Sequence, residues 1–359
     1  MAMKKPIVTK QTALYCNENR WDLLKASIER LNPTKIFILV DTNTHRCAYE
    51  LFLKKIDKQL DFQTITMPCG EEHKTLHTCI DIWSELSKRG ADRKSVLINL
   101  GGGVVTDVGG FVASTYKRGI DFINVPTSLL AMVDAAIGGK NGVNLGVLKN
   151  QVGVINTPCA VLVDPIFLHT LPEQEITSGF AEMLKHALID SQEYWEELQN
   201  FNVENINSTQ RLIWRSIAIK NNIVLQDLNE MDVRKTLNFG HTLGHAIESY
   251  CLENKNIQTL SHGKAVAIGI VLATYISSRL MGFDKDKLMA ITSFILSVFK
   301  KQVFNTEDIA SIIALLIHDK KNKDGAVLFV LLEDYGVVHL DKKVPNSLIE
   351  EAFEFYDKS

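Results

Sequence analysis

The sequence has few cysteines, and they are not arranged as a framework for metal or disulfides. The six cysteines in 359 residues are scattered and form no CxxC pair. Zinc ribbons and disulfide scaffolds need cysteines at short, regular spacings. The cysteine pattern therefore excludes both classes and predicts reduced, mostly packed thiols in a cytosolic protein.

A strong charge of one sign and a long apolar run are missing as well. The formal net charge is −3, so a surface for nucleic acid or acidic lipid is not expected. The longest apolar run, residues 265–276, is shorter than the roughly 20 residues of a membrane span. The first residues contain no apolar segment of the kind found in a signal peptide. We therefore expect a cytoplasmic protein that binds neither nucleic acid nor a membrane.

Two different patterns divide the chain near Leu171–Pro172. Before that point, short apolar runs at 35–41, 95–103, 122–128 and 160–165 alternate with helical spacing, which predicts an α/β domain with a largely parallel sheet. After it, helical periodicity dominates, with one short β pair near 325–340. The predicted domains are residues 1–170 and 171–359, in agreement with the length of the chain.

Glycines follow the second predicted strand. The segment GGGVVTDVGG (101–110) would let backbone N–H groups approach a phosphate at a helix start, with Asp41 and Asn43 holding a ribose. However, Thr106 breaks the GxGxxG pattern, and the acidic strand end precedes the glycines instead of following them. A nucleotide site and a plain tight turn both remain open.

A second glycine-rich segment, 133–151, carries charge. Asp134, Lys140, Lys149 and Asn150 make it too polar for a core. Two lysines on a mobile segment can close on a phosphate or carboxylate. An exposed basic loop is the alternative, and it fits less well with the sequence AAIGG directly before Lys140.

The segment RKTLNFGHTLGH (234–245) has a polar stripe. Helical spacing places Arg234, Asn238, His241 and His245 on one face, which Glu248 joins if the helix continues. Gly240 leaves open a bend or a helix start within the segment. The stripe is either a solvated face or part of a site.

Glu182 and His262 are polar residues on other apolar helix patterns, and Lys185 and Lys220 add nearby positive charge. Carboxylate and imidazole are common zinc ligands, so a metal shared with His241 and separately satisfied core residues are the two interpretations. The absence of HExxH argues against a metalloprotease.

Six segments identify a family. GGGVVTDVGGF, VPTSLLAMVDAAIGGKNGVN, GFAEMLKHALI, LNFGHTLGHAIE, HGKAVAIGI and HDKKNKDG occur in this order between about Asp41 and Leu340. Together they resemble the 3-dehydroquinate synthase family of the sugar-phosphate cyclases. The resemblance implies a Rossmann-like NAD-binding α/β domain, an all-α metal-binding domain and a homodimer.

The implied reaction converts 3-deoxy-D-arabino-heptulosonate 7-phosphate to 3-dehydroquinate and phosphate, a step of the shikimate pathway to aromatic amino acids. A hydroxyl is transiently oxidised by NAD, phosphate is eliminated, the ketone is reduced again, and an intramolecular aldol step closes the ring. NAD is regenerated, and one divalent metal, zinc or cobalt, polarises the hydroxyl.

The resemblance also implies roles for individual residues. The metal ligands are Glu182, His241 and His262. Residues implied at or near NAD, together with the ribose candidates, are Asp41, Asn43, Gly70, Glu71, Glu72, His73, Lys74, Gly103, Val104, Val105, Thr106, Asp107, Thr127, Ser128, Lys140, Lys149, Phe167, Leu168, His169 and Thr170. Residues implied at the substrate are Lys140, Asn150, Lys185, Lys220, Arg234, Asn238, Lys320 or Lys321, with Asp134 and Glu230 as further polar positions, His245 as proton carrier and Arg118 reaching the neighbouring subunit's site.

Three alternatives remain open. Another sugar-phosphate cyclase would differ at the anion-binding residues, and an alcohol dehydrogenase would produce net NADH. An inactive NAD-binding paralogue is disfavoured because the implied ligands and lysines are present. Lys264 departs from the family pattern, since an acidic residue is more common beside the metal ligand His262.

Overall fold

The fold is described from a computed structural model, over residues 5–9, 12–56, 60–146, 148–254, 257–316 and 327–359. Contacts between Cα atoms divide the chain into two compact units. The first comprises Met1–Ile176 and Asn202–Asn221, and the second comprises Thr177–Phe201 and Asn222–Ser359. Each unit is described by itself.

The first unit is built on a seven-stranded sheet. The strands of this unit are β1 (Ile7–Val8), β2 (Ala13–Tyr15), β3 (Ile36–Asp41), β4 (Phe62–Met67), β5 (Val96–Gly101), β6 (Asp121–Pro126), β7 (Lys140–Leu145), β8 (Leu148–Ile155) and β9 (Ala160–Leu162). The sheet order is β1-β2-β9-β6-β5-β3-β4, and all pairs except β1 with β2 are parallel. Strand β5 is buried along its whole length, as expected of a parallel strand covered on both faces.

The helices of this unit cover the sheet. They are α1 (Arg20–Leu31), α2 (Thr42–Cys47), α3 (Tyr49–Lys55), α4 (Leu76–Lys88) and α5 (Gly103–Thr115). Short turns of 3₁₀ or π helix lie at Glu71–His73, Tyr116–Arg118, Ala131–Ala135 and Pro165–Thr170. Helix α5 is the most apolar, and its Val105, Val108 and Val112 are fully buried in the core beside Phe37 and Leu39 of β3.

The strand order reverses between β3 and β5. From β3 the chain adds β4 on one side and then returns to add β5, β6 and β9 on the other. In an open parallel sheet, ligands bind outside the carboxyl ends of the strands at such a reversal. Asp41 and Gly101 are the last residues of β3 and β5, so both lie at this position.

The second unit is mainly helical. From Glu173 onward the chain forms α6 (Glu173–Asp190), α7 (Gln192–Leu198), α8 (Ile206–Gln226), α9 (His241–Glu253), α10 (His262–Leu280), α11 (Lys285–Val298), α12 (Thr306–Leu316) and α13 (Asn346–Lys358), with strands β10 (Leu328–Asp334) and β11 (Val337–Lys343). Of these, the first turn of α6 and the part of α8 up to Asn221 belong to the first unit. Helix α8 crosses the division between the units after Asn221. Strands β10 and β11 form the short antiparallel pair expected near 325–340.

Helix α10 is the core helix of the second unit. Among the described residues it is the one helix long and apolar enough to cross a membrane, with a mean hydropathy of 1.2 over the best window. However, 72% of that window is buried inside the protein. The apolar sequence is therefore used for packing against α9, α11, α13 and β10.

Two segments differ from the sequence-based expectation. The sequence predicts a mobile segment at 133–151, whereas β7 and β8 form an antiparallel hairpin with Gly142 opposite Gly153 and an irregularity between Val143 and Leu145. The helical stripe from Arg234 is interrupted: a 3₁₀ turn covers Val233–Asn238 and α9 begins at His241. Gly240 between them has φ +76°, a left-handed conformation that ends one helix and admits the next.

Candidate metal centre and cofactor site

Two helices of the second unit begin at histidines and pack closely. A side chain at Gly240 would meet the backbone nitrogen of Ile270 at 2.9 Å, and one at Gly244 would meet the Cα atom of Val266 at 3.1 Å. The glycines of FGHTLGH therefore permit close contact between α9 and α10. As a result His241, the first residue of α9, lies near His262, the first residue of α10, with ring centroids 5.8 Å apart.

A buried carboxylate from α6 joins these two imidazoles. Glu182 is 1% exposed, and its Oε1 lies 3.1 Å from Nε2 of His241 and 3.4 Å from Nε2 of His262. The ring of His245, one turn along α9, is 5.2 Å from that of His241 and 5.7 Å from that of His262. The structure thus brings the three predicted metal ligands together, with His245 beside them.

Lys185 places a positive charge at the same carboxylate. Its Nζ is 2.5 Å from Oε2 of Glu182, and both side chains are 1% exposed. Burial raises the pKa of Glu182, but the charges of Lys185 and His241 outweigh burial and hold that pKa well below its usual range. The carboxylate is therefore ionised and able to act as a ligand.

His262 lies between two carboxylates. Its Nδ1 is 3.2 Å from Oε2 of Glu248, on the ring side opposite to Glu182. Burial lowers the pKa of His262, but hydrogen bonds to Glu182 and Glu248 outweigh it and raise the pKa to about 10. The surroundings of this ring stabilise positive charge, which a divalent cation would supply. The donor set, carboxylate oxygen and imidazole nitrogen, fits zinc or cobalt.

Glu248 is a functional candidate to which no sequence motif assigned a chemical role. The spacing placed it on the polar face of α9, and the structure shows that the helix does continue through this position. Its i, i+3 spacing to His245 is the signal that indicates it. Its contact with His262 could not be predicted, because that residue belongs to another helix.

The segment before α9 carries three of the predicted substrate residues. Arg234 is 2% exposed, and its Nη1 donates to the carbonyl oxygen of Leu228 at 2.5 Å. Asn238 donates from Nδ2 to Oε1 of Glu230 at 2.8 Å. Arg234, Asn238 and Glu230 therefore belong to one ordered segment.

Lys220 and Asp134 form a pair in the first unit. The Lys220 Nζ lies 2.9 Å from Oδ1 of Asp134 and also donates to the Asp134 backbone oxygen at 2.5 Å. Lys220 is 5% exposed. Both residues were predicted at the substrate, but their contact was not, because they are 86 positions apart.

The glycine-rich turn lies at the carboxyl ends of neighbouring strands in the first unit. Gly102 precedes α5, so the first turn of this helix consists of residues 103–107, which include the predicted NAD contacts. The Thr127 backbone N–H donates to the Gly101 oxygen at 2.9 Å, which fixes the Thr127–Ser128 turn beside the helix start. Backbone N–H groups at a helix start bind phosphates, so this turn has the geometry of a nucleotide site.

The two residues predicted to bind the ribose, Asp41 and Asn43, lie at the start of α2. Oδ1 of Asp41 accepts from the Thr44 N–H at 2.7 Å and caps α2. Asn43 is exposed and accepts from Arg46 at 3.3 Å. Asp41 thus has a structural role as a helix cap, and it also lies at the strand reversal where a nucleotide is expected.

Lys74 joins three segments of the first unit. It is 4% exposed, and its Nζ lies 2.7 Å from Oδ2 of Asp107 and 2.6 Å from Oδ1 of Asn150. Burial lowers the pKa of Lys74, but the charges of Asp107 and Glu71 outweigh it and raise the pKa above its usual value. Asn144, which sequence reasoning missed, donates to Glu71 at 2.9 Å and accepts from the Asn150 N–H at 2.8 Å.

The remaining predicted residues lie at the surface or in the core. Lys140 and Lys149 are on the β7–β8 hairpin, where Lys140 is exposed and Lys149 half-buried. Phe167 and Leu168 are fully buried in the 3₁₀ turn, whereas His169 is exposed. Arg118 is exposed and has φ +67°. Lys320 and Lys321 lie outside the described residues.

Further predicted cofactor residues lie around the glycine turn and the Glu71–His73 turn. Gly70 has φ +110°, and Glu71 and Glu72 follow it. The first turn of α5 combines buried and half-buried positions, with Val105 and Thr106 buried.

Two solved structures of similar fold are those of sugar-phosphate cyclases. A 2-epi-5-epi-valiolone synthase from Streptomyces hygroscopicus, solved with NAD⁺ and Zn²⁺, superposes with a TM-score of 0.84 at 24% identity, covering 100% of this chain and 99% of that one. A 2-deoxy-scyllo-inosose synthase, solved with carbaglucose-6-phosphate, NAD⁺ and Co²⁺, has a TM-score of 0.81 at 25% identity, covering 97% and 98%. These likenesses define the two-domain fold, an α/β domain followed by a helical domain, and confirm the predicted fold class.

Sequence comparison defines the family within this class. Residues 64–178 match the model for the N-terminal part of 3-dehydroquinate synthase, and residues 179–322 match the model for its C-terminal part. The 3-dehydroquinate synthase of Parabacteroides distasonis is 40% identical over 354 residues, covering 98% of this chain and 99% of that protein. The chain belongs to the 3-dehydroquinate synthase family, and the prediction of this family and its lyase activity is confirmed.

Proposed function

We propose that this chain converts 3-deoxy-D-arabino-heptulosonate 7-phosphate to 3-dehydroquinate and phosphate, with NAD and one zinc or cobalt ion as cofactors. Membership of the family supports the reaction. The observation that carries the proposal is the buried Glu182 carboxylate, which His241 and His262 approach through Nε2 at 3.1 and 3.4 Å. Such a donor set suits a catalytic metal that polarises a substrate hydroxyl.

The metal ligands in this proposal are Glu182, His241 and His262. A bound metal would supply the polarisation of the substrate hydroxyl, and bound NAD would supply a reversible acceptor for hydride. Lys185 keeps Glu182 ionised, and Glu248 orients the ring of His262 through its Nδ1. His245 is exposed beside the cluster, where it can exchange a proton with the substrate.

We assign NAD binding to residues 1–170 and binding of metal and substrate to residues 171–359. The strand reversal at Asp41 and Gly101 and the helix start at Gly103 support the first assignment. The predicted contacts at 70–74, 103–107, 127–128 and 167–170 are part of this proposal. Because Phe167 and Leu168 are buried, their contribution would come from the backbone or the exposed His169.

The substrate carries a carboxylate and a phosphate, and the chain offers cationic and amide groups for both. Arg234 and Asn238 share one segment, and Lys185 and Lys220 are buried with acidic partners. A flexible substrate must be kept in one orientation through several steps, and charged side chains fixed by ion pairs can hold it there. The remaining proposed contacts are Lys140, Asn150, Asp134, Glu230 and a lysine of 320–321.

We also propose a cytoplasmic homodimer in which Arg118 reaches the neighbouring subunit's site. Arg118 is exposed on the turn Tyr116–Arg118, which leaves its side chain accessible to a partner subunit. Sedimentation should give twice the mass of the chain. A monomer with full activity would contradict this part of the proposal.

The decisive experiment is phosphate release from the heptulosonate phosphate with NAD at catalytic concentration. We expect many turnovers per NAD without accumulation of NADH, loss of activity with a chelator, and recovery with zinc or cobalt. Net NADH production would instead indicate an alcohol dehydrogenase. Failure of folded protein to release phosphate under these conditions would overturn the proposal.

A further inference from the structure

The carboxylate of Asp227 organises the turn after α8. Its Oδ1 accepts from the Met231 N–H at 3.0 Å, and its Oδ2 accepts from the N–H groups of Asp232 at 2.7 Å and Arg234 at 3.1 Å. Asp227 directly follows the last residue of α8, and its N–H donates to the Ile223 oxygen at 3.2 Å. One side chain therefore ties the end of α8 to three backbone positions of the following segment.

This turn contains backbone strain that needs an anchor. Glu230 has φ +59°, a left-handed conformation that is uncommon for a residue with a side chain. Conformations of this type persist where surrounding bonds fix them. The bonds from Asp227 to the next residues, Met231 and Asp232, enclose Glu230 and hold it so that Oε1 meets Asn238.

Arg234 is held at both ends by the same turn. Its backbone N–H donates to Asp227, and its Nη1 donates to the carbonyl oxygen of Leu228, the residue after Asp227. Asp227 and Leu228, which follow the end of α8, thus fix the position of the buried guanidinium. Burial raises the pKa of Asp227, but the N–H groups of Asp232, Met231 and Arg234 outweigh it and lower the pKa, so the carboxylate stays ionised.

We infer that Asp227 is a positioning residue for substrate binding: it fixes the turn 228–234 so that Arg234 and Glu230 are held in place before substrate arrives. The inference rests on the proposed function, in which Arg234 binds an anionic group of the substrate. Asp227 does not touch substrate and acts through the backbone of the turn.

A second contact to the same segment supplies a matched control. Lys235 Nζ lies 2.7 Å from Oδ2 of Asp341 on β11, but this ion pair is partly exposed, with 24% and 45% of the side chains accessible. An exposed pair of this kind contributes little. Asp227→Asn and Asp341→Asn make the same chemical change, yet only the first removes carboxylate bonds to backbone N–H groups.

The test is a double-mutant cycle on the zinc- and NAD-loaded enzyme. We expect Asp227→Asn to raise KM for the heptulosonate phosphate by about tenfold to a hundredfold, because small misplacements of a binding group have effects of this size. Zinc content and the unfolding midpoint should stay near those of the wild type. In the Arg234→Ala background, Asp227→Asn should raise KM by a clearly smaller factor, since residues that act as a unit are not additive and only the part exerted through Glu230 remains.

The outcomes separate this inference from the proposed function. If Arg234→Ala leaves KM unchanged, the assignment of Arg234 to substrate binding fails. If Arg234→Ala raises KM but Asp227→Asn acts by the same factor in both backgrounds, the positioning role is overturned. An equal rise of KM in Asp341→Asn also overturns it, because the loss of any contact to this segment would then raise KM and the effect would not be specific to Asp227.

Amide hydrogen exchange gives a readout that is independent of substrate. The N–H groups of Met231, Asp232 and Arg234 should exchange faster in Asp227→Asn, with exchange in α10 unchanged. Asp227→Glu, which keeps the charge, should recover part of the protection even if the asparagine variant folds poorly. Unchanged exchange at all three N–H groups in both variants contradicts the inference.

Discussion

The imidazole of His262 is fixed through both of its nitrogens. Nε2 faces Oε1 of Glu182 at 3.4 Å, and Nδ1 faces Oε2 of Glu248 at 3.2 Å. In metal sites, a carboxylate on the far side of a histidine sets the ring orientation and raises its basicity. We therefore expect Glu248 to contribute to metal affinity although Glu182, His241 and His262 are the proposed ligands.

Glu248→Gln is expected to weaken zinc binding by about tenfold or more, because the ring of His262 loses a charged partner. Competition with a chromophoric chelator measures the dissociation constant directly, without reference to activity. Glu253→Gln, on the exposed end of the same helix, is the matched control and should leave zinc affinity unchanged. Equal zinc affinity in the Glu248 variant would exclude this role.

For single residues, the sequence predicted types of side chain better than their partners. The spacing of His241 and His245 indicated a shared face, and the structure places the two rings 5.2 Å apart. The bond between His241 and Glu182 links positions 59 residues apart, which no local periodicity reveals. Asp227 lies outside every motif. Its carboxylate binds backbone N–H groups, which every residue except proline carries, so no pattern of side chains indicates its partners.

Among the helices and strands, the metal centre depends on how closely α9 approaches α10. A Cβ atom at Gly269 of α10 would overlap the carbonyl oxygen of Gly240 and would lie 2.8 Å from the Gly244 nitrogen. Both neighbours are backbone atoms, so they cannot rotate away. The absence of a side chain at Gly269 is thus a condition for placing His241.

Gly269→Ala should lower the free energy of unfolding by about 1–3 kcal/mol, the usual effect of overpacking. In an open helix the same change would be stabilising, so the sign itself is informative. Zinc affinity should fall as well, because α9 must move away from α10. Urea unfolding and zinc titration measure the two effects, and Ser278→Ala on the same helix is the control. A Gly269→Ala protein with higher stability would show that the two helices do not need this close contact.

The β7–β8 hairpin is an element that the sequence did not predict. Glycine-rich sequence was interpreted as a mobile segment, but Gly142 and Gly153 lie opposite each other where a Cβ would meet backbone oxygen at 2.6 Å. These glycines permit tight strand pairing. Strands β3 and β5, in contrast, were predicted to within about two residues at each end, because a continuous apolar run between two helical patterns is typical of a buried parallel strand.

For the whole molecule, the two compact units give separate tests for the two cofactors. The proposed metal ligands all belong to the unit comprising Thr177–Phe201 and Asn222–Ser359, and the glycine turn belongs to the other. A ligand that binds only the folded state stabilises the unit that holds it. Zinc and NAD should therefore affect different parts of the unfolding profile.

Zinc at about a hundred times its dissociation constant should stabilise the metal-binding unit by about 2.7 kcal/mol. We expect the urea midpoint of that unit to rise with zinc in the wild type and to stay constant in His262→Ala. NAD affinity of His262→Ala should remain that of the wild type, since the variant changes only the metal centre. Magnesium, which prefers oxygen ligands, serves as the control ion and should give no comparable shift. An unchanged response to zinc in His262→Ala would show that this histidine does not bind the metal, and loss of NAD binding in the same variant would show that the two sites do not act separately.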